Sequence, residues 1–177
     1  MQKRDVHYEA AFADYLRSKR IPYVPVDETR KIRVAGEQIK SFDLIVHAPG
    51  DRRWIVDIKG RQFPYISEDG AKRYWENWVS QEDIEGLNEW AGVFGEGFEA
   101  CFVFAYLLDG PPDRWPAVPP HSYRHEQYAF LLVTLEDYVQ HCRARSIRWK
   151  TVSIPARVFR QIVRTVDAEA GSAPPGL

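Results

Sequence analysis

Apolar positions along the chain change their period several times, and each change marks an element. Tyr8, Ala11, Phe12, Tyr15 and Leu16 recur at helical spacing, which predicts a helix over residues 7–19. The stretch from Ile21 to Val26 is short and β-like, and Pro22 and Pro25 place it at a sheet edge. Residues 27–40 are charged and contain Gly36, the composition of a loop or hairpin. Residues 41–47 and 53–59 are β-rich and flank the turn-forming Ala48-Pro49-Gly50-Asp51, so they predict a hairpin closed by Gly60.

Residues 61–79 are aromatic-rich and irregular. A second helix fits 80–94: Ser80 is its N-cap, Asp83 supplies negative charge to its first turn, and Gly95 suits its end. Its apolar stripe is Ile84, Leu87, Trp90, Ala91 and Phe94. The nearly unbroken apolar run 98–108 predicts a central strand covered on both faces. A proline-rich loop over 109–126 leads to a strand at 128–133. A helix follows over 135–145, capped by Thr134, then a short strand at 150–154 and a last helix from Pro155 to about Val166. The small, Pro/Gly-rich 170–177 reads as a disordered tail. No internal repeat is visible. The order implies one α/β domain over 1–169, a mixed β-sheet flanked by helices.

Composition narrows the class. The chain has 177 residues, 45% of them hydrophobic, enough to build a core. No apolar stretch approaches the roughly 20 residues of a bilayer span, and no apolar leader follows the polar N-terminus, so a cytoplasmic protein is expected. Cys101 and Cys142 are too few for a disulfide scaffold or a zinc site of their own, and His121 and His125 sit in a proline-rich loop without metal-ligand spacing. Net charge is −1, but its distribution is uneven: +4 over residues 1–61, −8 over 62–126 and +3 over 127–177. A nucleic-acid footprint would fall on the two basic ends.

The predicted hairpin carries the unusual chemistry. Asp57 and Lys59 lie two apart on a strand and point to one side, while Val56 and Ile58 point to the other. Asp43 interrupts the preceding strand. Ionisable groups in such a strand must pair, bind metal or catalyse. Two carboxylates can hold a hard divalent cation through oxygen ligands, and an adjacent lysine can orient water and offset developing negative charge. The bland alternative is a structural ion pair at a sheet edge.

Asp43 followed by Asp57-Ile58-Lys59 resembles the signature of the PD-(D/E)xK nuclease superfamily, with Phe42 in place of the common proline and Asp57 a permitted acidic variant. That superfamily places an acidic residue in the helix before the sheet, and Glu9 occupies that position. The compact order of elements looks most like archaeal Holliday-junction resolvases, with residues 61–79 and 109–126 as insertions. The resemblance implies a restriction-endonuclease-like core and a Mg2+- (or Mn2+-) dependent endonuclease acting on DNA, branched DNA included, as a homodimer. Glu9, Asp43 and Asp57 would hold the metal with the Ile58 carbonyl, and Lys59 would position the attacking water. Arg61, Gln62, Lys31 and Arg33 are weaker candidates for phosphate contact, and Gln81 for a helix contribution to the site; each is equally at home as a solvated residue. The competing reading is a non-catalytic module of the same fold that binds nucleic acid or protein.

Overall fold

A computed structural model of the chain describes residues 4–27, 33–34, 36–48, 50–70, 72–73 and 75–170. Lys31 and the tail beyond Ala170 lie outside the described residues, as does the side chain of Arg33.

The helix α1 (Arg4–Ser18) leads to the edge strand β1 (Tyr23–Pro25) and the small hairpin β2 (Arg33–Val34) and β3 (Glu37–Gln38). The expected central hairpin follows as β4 (Leu44–His47) and β5 (Arg53–Phe63). The segment read as irregular holds a second small hairpin, β6 (Tyr65–Ile66) and β7 (Lys72–Arg73), and then β8 (Val79–Ser80). Next come α2 (Gln81–Phe94), β9 (Phe98–Leu108), β10 (His121–Tyr123) and β11 (Glu126–Thr134). The chain finishes with α3 (Leu135–His141), β12 (Arg143–Ser146), β13 (Thr151–Ser153), α4 (Ala156–Ile162), β14 (Arg164–Thr165) and α5 (Val166–Ala170).

The main sheet has the order β1-β4-β5-β9-β11-β10, with β14 added to β11. Only β5 and β9 run parallel in it, as a crossover through α2 requires. Alternation along the central strands separates two cores. Ile55, Phe102, Phe104, Tyr106 and Leu131 face Leu87 and Trp90 of α2, Tyr138 of α3 and Phe159 of α4. Val56, Val103, Ala105 and Phe130 face Ala11, Phe12, Tyr15 and Leu16 of α1. The sheet is therefore sandwiched, as the long apolar run of β9 required.

Two helices are shorter than the periodicity suggested. The helix expected over 135–145 stops at His141, because its stripe ends at Tyr138, Val139 and Gln140 are exposed, and Arg143–Ser146 pair instead with β13. The helix expected over 155–166 breaks after Ile162, where Arg164 and Thr165 pair with Leu132 and Leu131. In the first place a local hairpin, and in the second the edge of the distant β11, overrides the helical pattern.

Candidate active site

β5 is longer than its partner. Antiparallel pairing with β4 ends at Leu44↔Val56, so on that side Asp57 to Phe63 have no strand partner among the described residues. The Asp43 amide donates to the Val56 carbonyl at 2.9 Å, and the Asp43 carboxylate accepts from the amide of Ile58. Asp43 thus continues the ladder by one backbone bond and then caps the open edge with its side chain. In a strand, a residue's N–H and C=O share one edge, so the Ile58 carbonyl is directed to the edge where the Asp43 carboxylate sits.

Ile55, Asp57, Lys59, Arg61 and Phe63 share the face covered by α2. Asp57 is 6% exposed. Lys59 Nζ lies 2.8 Å from Asp57 Oδ1 and 3.0 Å from Asp83 Oδ1. Asp83 also takes Lys40 Nζ, accepts from the Ser80 amide at 2.8 Å, and its own amide donates to Ser80 Oγ at 3.1 Å. These last two bonds form the capping box of α2. Lys40 is held in turn by α2: the Trp90 indole donates to its carbonyl at 2.9 Å, and the absence of a side chain at Gly86 lets it approach.

Electrostatics separate the two buried carboxyls. Burial pushes the Asp57 carboxyl up to about 6; Lys59 opposes the shift and Asp83 adds to it. Burial also acts on Asp83, but Lys59, Lys40 and the Ser80 amide together hold its carboxyl well below the usual range. Burial alone would lower the Lys59 ammonium, and Asp57 and Asp83 outweigh it, so Lys59 stays charged. A lysine held in this way donates hydrogen bonds and is no general base at neutral pH.

Glu9 lies on α1, which covers the opposite face. Its neighbour Tyr8 packs on Gly60, where a Cβ would come within 2.2 Å of the ring. Among the described residues no three His, Cys, Asp or Glu side chains are already gathered into a metal-holding group. Asp43, Asp57 and the Ile58 carbonyl are nevertheless oxygen donors of the kind Mg2+ takes with one or two carboxylates while it keeps several waters. They fit that cation.

The remaining candidates fall elsewhere. Arg61 turns inward, donating to the Gly60 carbonyl at 2.7 Å and to the Trp78 carbonyl, with its guanidinium 4.3 Å over the Trp78 ring. Gln62 is exposed and donates to Asp109 at 3.3 Å. Gln81 is exposed on the first turn of α2. A cleft of about 570 Å3 opens on the same face around Trp75, Trp78, Arg145 and Arg160, but neither Asp57 nor Asp83 lines it. Sequence reasoning missed Asp83 and Lys40 as members of the site. Away from this site, His7 on α1 bonds to Glu126 and to Tyr128, whose hydroxyl donates to Glu126 at 2.8 Å.

No protein-family model and no curated protein matches the sequence. The structure is similar to that of Hjc, a Holliday junction resolvase from the archaeal hyperthermophile Archaeoglobus fulgidus. The TM-score is 0.54 at 15% identity, covering 97% of this chain and 98% of that one. The chain has the restriction-endonuclease-like fold, a mixed sheet flanked by helices. Asp43, just before β4, meets the Ile58 amide, and Asp57 and Lys59 pair on the overhanging half of β5. No helix among the described residues is long and apolar enough to cross a membrane.

Proposed function

We propose that this protein is a divalent-metal-dependent endonuclease that hydrolyses phosphodiester bonds in DNA, branched DNA included, and works in the cytoplasm as a homodimer. The observation that supports this most is the open β5 edge, where the Asp43 carboxylate lies on the Ile58 amide and Lys59 is 2.8 Å from Asp57. Asp43, Asp57 and the Ile58 carbonyl would hold Mg2+ or Mn2+, with Glu9 reaching the edge from α1. Once bound, the cation neutralises the phosphate and lowers the pKa of the attacking water. Asp83 and Asp57 fix the Lys59 ammonium, so it can donate to the water and to the developing negative charge without searching rotamers.

The deciding experiment is a cleavage panel over duplex, single-stranded, flap and four-way-junction DNA, with Mg2+, Mn2+ or chelator. Metal-dependent cutting that vanishes in Asp57→Asn supports the proposal. Equal cutting by wild type and Asp57→Asn removes Asp57 from the site. The second reading, a non-catalytic module of this fold, is favoured by the −8 charge of residues 62–126 and by the ungathered third carboxylate. It gains if calorimetry shows no Mg2+ or Mn2+ binding and nothing is cut.

A further inference from the structure

The two most exposed large apolar side chains among the described residues stand together, on the turn between β12 and β13. Ile147 is 91% exposed and Trp149 is 67% exposed. Cations surround them. Arg148 lies 5.1 Å over the Trp149 ring, and Arg143, Arg148 and Lys150 are exposed with no ion pair among the described residues. Between Asp137 and Asp167 the sequence holds seven Lys or Arg and no acidic residue. In this stretch Arg145 is tied to an acid, Glu76, at 3.3 Å.

The turn is braced. The Trp149 amide donates to Ser146 Oγ at 3.3 Å and the Lys150 amide to the Ile147 carbonyl at 3.3 Å. The Lys150 carbonyl accepts from the Gln81 amide at 2.9 Å, and β13 pairs with β8 at Thr151↔Ser80. Ser80 caps α2 through Asp83, and Asp83 holds Lys59. A short chain of backbone and side-chain bonds therefore fixes the turn that carries Trp149 relative to the candidate catalytic lysine.

We infer that this turn is a nucleic-acid contact in which Trp149 stacks on an unpaired base while Arg143, Arg148 and Lys150 hold the flanking phosphates. The inference rests on the nucleic-acid reading above, but not on cleavage. An exposed indole loses hydration cost by stacking and accepts any base, and a cation beside the ring adds to that attraction. The exposed Glu82 and Glu85 on α2 repel an extended duplex, so the surface favours a strand whose bases are already open. At a branched or frayed substrate, such a contact would set where the scissile phosphate meets Lys59.

The test is fluorescence anisotropy in chelator, so that binding is read without cutting. Two ligands are compared, a duplex with a single-stranded overhang and a blunt duplex of equal length. Wild type binds the overhang more tightly. Trp149→Ala weakens overhang binding by roughly 10-fold while blunt-duplex binding changes little, and Trp149→Phe restores most of it. Arg148→Gln with Lys150→Gln weakens both ligands and lowers the salt slope by about 2. Thermal melts confirm that these surface variants fold. Unchanged overhang affinity in Trp149→Ala overturns the inference. So does a dimer that dissociates in that variant, which would make the turn a protein contact. Asp57→Asn carried in parallel binds like wild type, so loss of cutting alone leaves the inference standing.

Discussion

Asp57 and Asp83 lie on either side of one lysine and are pushed in opposite directions, which gives stability two opposed dependences on pH. The folded Asp57 carboxyl, raised to about 6, binds protons more tightly than in the unfolded chain, so ionising it on the way up through pH 6 costs stability. Asp83 has a lowered carboxyl, so its contribution is full above the usual carboxylate range and is lost as pH falls below it. In chelator at pH 7 to 8, Asp57→Asn should melt at or above the wild-type temperature, and the gain should shrink toward pH 5. Asp83→Asn should instead lose about 2–4 kcal/mol near neutral pH, because it strips the capping box and leaves Lys59 and Lys40 with fewer acceptors. Denaturant melts across pH check both; slopes of the same sign would contradict the assignment. The Asp57 pair was legible in sequence because a two-residue period puts Asp57 and Lys59 together on any strand. Asp83 was legible only as negative charge in the first turn of a helix. Its second role depends on α2 lying over β5, which no local pattern encodes.

At the scale of elements, the sequence resolved what its own periodicity controls. The predicted strand 98–108 matches β9, and Ser80 caps α2 as expected. The extra strand β14 was missed because it exists only by pairing with the distant β11, and β12 because its hairpin with β13 lies where the helical pattern was read as continuing. The same distinction applies to α1. Its face was readable, but its docking depends on Gly60, where Tyr8 fills the space of a side chain. Gly60→Ala should cost about 1–3 kcal/mol and displace the start of α1, and Glu9 with it. Tyr8→Ala should remove most of the added cost in the double variant. A double-mutant cycle by urea melts measures this, and strict additivity would show that the two positions do not touch.

For the whole molecule, the parallel pairing of β5 with β9 joins Asp57 to Phe102 and Lys59 to Phe104 across α2. A contact that distant in sequence forms late, and mixed α/β topologies refold on the order of milliseconds or slower. Until β9 and α2 dock, nothing desolvates Asp57 and no Asp83 holds Lys59. Stopped-flow refolding should therefore show Mn2+ capture appearing with the final rise in core fluorescence, and capture in an earlier phase would count against this. During synthesis, the ribosome will have made Asp43, Asp57 and Lys59 well before Phe98 to Leu108 emerge. If the proposed function holds, a newly made chain carries Asp43, Asp57 and Lys59 while still unable to cut, and would become dangerous to nucleic acid only after its central strand has been made and closed.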